Sequence, residues 1–154
     1  MRNHEPPAAG EPLHTSLRYA QPPDLGPACR PVPRVDILDT RDEHVGEFDG
    51  VLLSAESDKP LFLVFQRPDT RRRQLMPIGS AWLDPTTKVI RVDPADVDGA
   101  TPFDLSEFEQ MTPTEVLAFE RRVLASCCPE VLREAGPPDY ETADRFRCPD
   151  WLSA

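Results

Sequence analysis

Proline decides first what this chain can become. Of its 154 residues 19 are proline, and eight of these (Pro6, Pro7, Pro12, Pro22, Pro23, Pro27, Pro31 and Pro33) fall within the first 34. Proline has no backbone N–H and a fixed φ, so it breaks helix interiors and is confined to the edges or ends of strands. Residues 1–33 are therefore expected to be an extended tail. The remaining length suits one domain of ordinary size. With 39% apolar and 29% charged residues the composition is close to that of a soluble globular protein, enough to fill a modest core.

The net charge of −10 is concentrated at one end: residues 1–34 carry +1, residues 35–93 carry −3 and residues 94–154 carry −8. Such a surface repels phosphate backbones and anionic headgroups, which disfavours nucleic acid and favours a protein partner with a basic surface. No run approaches the roughly 20 apolar residues that span a bilayer. The amino-terminal MRNHEPPAAGEPLH also lacks the apolar centre of a signal peptide, so no membrane insertion and a cytoplasmic location are expected. Cys29, Cys127, Cys128 and Cys148 include no CxxC pair for zinc and are expected to be free thiols; a redox or metal role would need Cys127 and Cys128 beside Cys29, Cys148 or a histidine.

After Pro33 short apolar segments alternate with turn residues, a pattern that predicts a compact all-β unit. Five strands are expected: Arg34–Leu38, Val45–Ser54, Leu61–Phe65, Arg73–Ile78 and Lys88–Val92. Asp39-Thr40-Arg41-Asp42 closes the first through side-chain bonds to its own backbone. Gly46 and Gly50 mark bulges or bends in the second. The third strand, Leu61-Phe62-Leu63-Val64-Phe65, is apolar at every position, so both faces need cover. Strand alternation puts Leu61, Leu63 and Phe65 on one side and Phe62 and Val64 on the other. One set fills a small barrel; the other meets either a helix of the same chain or a second copy in a symmetric dimer.

Thr112-Pro113-Thr114-Glu115 reads as a helix start, with a capping residue, proline at the first helical position and glutamate three after the cap. Val116, Leu117, Phe119, Val123, Leu124 and Cys127 then gather on one side until Pro129 ends the run. Pro94–Val97 is expected to form a single turn, and residues 129–154 an irregular acidic tail with Trp151 as an anchor.

The order Val45-Gly46-Glu47, Asp49-Gly50-Val51-Leu52, Leu61 to Phe65, Leu75-Met76-Pro77-Ile78 and Pro102-Phe103-Asp104 resembles the PRC-barrel family over about residues 34 to 125. That family includes the cytoplasmic part of the photosynthetic reaction-centre H subunit and the carboxyl-terminal domain of a ribosome maturation factor. The resemblance implies a mainly β fold: a small antiparallel barrel of five to six strands over residues 34–128, with a carboxyl-terminal helix packed on it. It implies a docking module with no catalytic residues and no cofactor. No apolar span precedes residue 34, and 33 proline-rich residues do not make the maturation factor's first domain, so a stand-alone PRC-barrel protein is expected.

Chemistry-bearing residues are sparse. His4 and His14 lie in the tail and His44 in a turn, so no histidine is placed beside a nucleophile or a carboxylate pair, and an enzyme is not expected. Asp36, Asp39, Asp42, Glu43, Glu47 and Asp49 lack the register of a calcium loop and read as solvated turn charges. Two functions from different classes follow. The first is a protein-interaction module using the third strand, Leu61 to Phe65. The second is an RNA- or ribosome-associated factor using Arg67, Arg71, Arg72 and Arg73 on the turn before the fourth strand.

Overall fold

The structure is a computed structural model that describes residues 16–22 and 35–152. It is mainly β. Strands β1 (Leu17–Ala20), β2 (Asp36–Asp39), β3 (His44–Ser54), β4 (Pro60–Gln66), β5 (Arg73–Pro77), β6 (Ala81–Leu83), β7 (Ile90–Val92) and β8 (Thr101–Phe103) form one sheet. Helices α1 (Pro94–Asp98), α2 (Leu105–Glu109) and α3 (Pro113–Cys127) complete it. Each of the five expected strands overlaps an observed one, and β1, β6 and β8 are additional. The strands run in the order β6-β7-β2-β3-β4-β5-β8, with β1 also on β3. The β2–β7 pair is parallel, and no ladder joins β6 to β8 among the described residues. The sheet is therefore eight-stranded, mixed and open, where the sequence led us to expect an antiparallel barrel of five to six strands.

Strand β3 organises the sheet because it is long enough to serve three partners. Its first half pairs with β2, its second half pairs with β1 along Leu17↔Ser54 to Ala20↔Val51, and β4 lies along its other edge. Both glycines expected to mark irregularities adjoin one. The β2–β3 register skips Val45 beside Gly46, and the β3–β4 register skips Asp49 beside Gly50. A Cβ on Gly50 would stand 2.4 Å from the Ala20 carbonyl and 3.2 Å from the Tyr19 ring, so only glycine lets β1 come this close.

Three of the hairpin turns share one form. In each a backbone N–H reaches back four residues, Asp58 to Ser54, Arg71 to Arg67 and Lys88 to Asp84, at 2.8 to 3.0 Å. The donor residue takes left-handed φ values of 60°, 59° and 63° respectively. Asp39 closes the β2–β3 turn as expected: its Oδ1 accepts from the N–H groups of Arg41 at 2.7 Å and Glu43 at 3.0 Å. Burial would raise its carboxyl, but those N–H groups and the Arg41 guanidinium outweigh it and hold the group below the usual carboxylate range.

Side chains of the sheet feed two cores. One holds Ile37, Phe48, Val51, Leu63, Phe65, Met76, Ile90 and Val92. The other joins Leu17, Leu52, Phe62, Val64, Leu75 and Phe103 to the apolar stripe of α3. The expected capping box starts that helix: Thr112 accepts from the Glu115 N–H, and the Glu115 carboxylate accepts from the Thr112 N–H. Beyond α3 the chain is irregular but docked. Val131, Ala143 and Phe146 enter the helix-side core, and Leu152 enters the opposite one. Trp151 meets Phe48 edge-on, with ring centroids 5.9 Å apart, and its Nε1 donates to the Ala81 carbonyl at 3.2 Å.

Candidate functional site

Leu61, Phe62, Leu63, Val64 and Phe65 were the residues expected to offer an interface, and all five are 0–2% exposed within the single chain. Leu63 and Phe65 belong to the core away from α3, while Phe62 and Val64 pack in the helix-side core with Val116, Phe119 and Val123. Leu61 joins the helix side, against strict alternation, because the register runs Leu53↔Pro60 and then Leu52↔Phe62, leaving it as the extra residue of a bulge. Phe62 also meets Phe146 edge-on at 5.3 Å. The helix and the carboxyl-terminal turns thus cover, within one chain, the face for which a second copy was the other candidate.

Of the four arginines, Arg71, Arg72 and Arg73 line one cavity of about 520 Å³ together with Phe103 and Leu105. Arg71 and Arg72 are exposed on the β4–β5 turn, Arg67 is half-buried, and the Arg73 guanidinium is committed to Asp49, donating from Nε at 2.8 Å. Asp49 is 0% exposed because the β3 bulge turns it inward, where it also accepts from the Tyr19 hydroxyl. Burial first, then the hydrogen bond and the negative charge of Asp49, push the Tyr19 phenol up to about 12. This triad ties β1, β3 and β5 together.

The remaining candidates are dispersed. His44 opens β3 and lies 3.4 Å from Asp36, exposed. Asp42 pairs with Arg91. Cys128 is buried in the helix-side core with Cys127 packed against it, whereas Cys148 packs on the opposite core, so the thiols of the helix end and the tail belong to different cores. Among the described residues no group of three or more His, Cys, Asp or Glu side chains is placed to hold a metal ion. No described helix is long and apolar enough to cross a membrane. His4, His14 and Cys29 lie outside the described residues.

What stands out against two filled cores is the end of the sheet. Trp82 and Leu83 are 46% and 36% exposed, the only large apolar side chains so open among the described residues, and both belong to β6. That strand pairs with β7 alone, Trp82 opposite Arg91 and Leu83 opposite Ile90. Arg91 is held by Asp42 at 2.6 Å and Asp84 at 3.4 Å, and its Nη1 also donates to the Asp39 carbonyl. Arg41, on the neighbouring turn, pairs with Asp39 and Glu43. Trp82 therefore shares its face with Arg91 and the Asp42 and Asp84 carboxylates paired with it, while Leu83 lies on the face of Ile90. A tryptophan on an edge strand is a large, rigid contact surface, here beside an edge whose Ala81 carbonyl already accepts from Trp151 Nε1. Sequence reading passed over it because a three-residue strand is too short for an alternation pattern to show. No protein-family model matches the chain, and no curated protein matches it.

Proposed function

We propose that the protein is a non-enzymatic docking module of the PRC-barrel type that takes up a protein partner with a basic surface at the β6 edge. The observation that carries this reading is that Trp82 and Leu83, both on an edge strand, are the only large apolar side chains exposed among the described residues. Tryptophan is enriched among residues that dominate binding energy, and an exposed edge strand can accept a further strand. The acid excess around Arg91 and the net charge of −10 supply the complement to a basic partner. The order of the resembling segments, together with a capped helix lying on the sheet, supports the family reading.

The test is comparative capture from native cells with the unaltered protein, Trp82→Ala and Leu83→Ser. A partner that is basic, that elutes as salt rises, and that is lost from both variants while they retain their melting temperature supports the proposal. Equal retention by all three proteins, or no enriched protein, overturns it.

A further inference from the structure

Helix α3 carries one charged residue on its buried stripe. Glu120 is four residues from both Val116 and Leu124, faces the core with them, and is 2% exposed. Its Oε2 accepts from the Tyr140 hydroxyl, but its Oε1 is buried with no hydrogen-bond partner among the described residues. No described basic side chain forms an ion pair with it. Burial first, then the negative charge of Glu120, push the Tyr140 phenol up, so Tyr140 stays protonated and serves as the donor.

Glu120 lines a cavity of about 540 Å³ between α3, the start of β4 and the carboxyl-terminal turns. Leu61, Leu117 and Pro138 supply apolar wall, and Ser16 contributes a second buried oxygen without a partner, Oγ. Unpartnered buried polar atoms are rare in folded proteins, and two on one cavity give it a defined polarity. A half-satisfied carboxylate is a poor stabilising device, since a leucine on the same stripe would pack without the desolvation cost. It is well suited to receive a cationic donor.

We propose that this cavity binds a primary ammonium group borne on an apolar body. The ammonium draws Glu120 Oε1 and Ser16 Oγ out of their buried positions and donates to both, and the apolar part lies against Leu61, Leu117 and Pro138. An anion is repelled, and a neutral alcohol supplies one donor without the charge. The cavity lies apart from Trp82 and Leu83, so the proposal does not rest on the docking reading.

Calorimetry on the full chain at neutral pH with phenethylammonium, 2-phenylethanol and phenylacetate tests it. The expected result is saturable one-to-one binding of the ammonium, at least about tenfold tighter than the alcohol, and none of phenylacetate. Glu120→Gln weakens the ammonium by about tenfold or more and erases its advantage over the alcohol. Methyl NMR signals of Leu61 and Leu117 shift on binding. Equal affinity for ammonium and alcohol, ammonium binding untouched by Glu120→Gln, or no saturation by about 10 mM ammonium overturns the proposal. Should Glu120→Gln not fold, the ammonium-over-alcohol preference of the unaltered protein decides alone.

Discussion

A chain beginning at Pro31 should be markedly less stable than the full chain, although its proline content marks the missing segment as dispensable. The deletion removes β1. Its four ladder residues contribute hydrogen bonds of about 1 kcal/mol each, and the backbone entropy regained on removing them is of similar size, about 1–2 kcal/mol per residue, so the side chains decide the sign. Leu17 is fully buried in the helix-side core, and emptying such a site costs about 2–5 kcal/mol. Tyr19 packs 5.9 Å from the Phe103 ring and donates to Asp49; removing a donor from a buried carboxylate costs about 1–3 kcal/mol more. The net loss is roughly 3–8 kcal/mol, against a total stability of about 5–15 kcal/mol for a protein of this kind. At about 2–4 °C per kcal/mol the melting temperature falls by roughly 6 °C or more. Thermal denaturation followed by circular dichroism measures it, and Leu17→Ala in the full chain should reproduce about half of the effect. A truncated chain melting within about 2 °C of the full one would refute the reasoning, because it would mean that β1 adds nothing to the core on which it lies.

Tyr19 also makes stability pH-dependent. Its phenol is raised from the ordinary value near 10 to about 12, so the folded state holds the proton more tightly. The contribution is complete below about pH 10 and is lost as pH rises towards 12; alkaline titration of the melting temperature should show this fall, and Tyr19→Phe should flatten it. Thr112→Ala removes the acceptor for the Glu115 N–H and should cost about 1 kcal/mol in urea denaturation with an unchanged slope; no change would mean that the helix start is held by packing alone.

Much of the architecture was legible in the sequence. Five apolar segments separated by polar turns are found as strands, because short apolar runs bounded by turn residues mark the stretches that must leave water. The start of α3 was equally plain, since Thr112, Pro113 and Glu115 act through bonds made within three residues. Bulges beside Gly46 and Gly50 could be anticipated for the same local reason. Glu120 carried a readable signal too: it is a charge at the spacing of the buried stripe, four from Val116 and four from Leu124.

The tertiary structure decided what depends on residues distant in the chain. Leu17–Ala20 is a four-residue stretch among prolines, and it becomes a strand only because β3 has a free edge there and Asp49 stands ready for Tyr19. Whether Phe62 and Val64 met a helix or a second copy had no answer in their own alternation, which names a buried face without naming its cover. Here α3 and Phe146 lie close enough to take it. Strands β6 and β8, three residues each, carry no period of their own and form because β7 and β5 present them with partners. The same long-range placement leaves Trp82 at the end of the sheet, and it puts Ser16, Glu120 and Tyr140 around one cavity although 124 positions separate the first from the last. Local patterns record which faces must leave water, and the pairing of distant segments settles what each face meets.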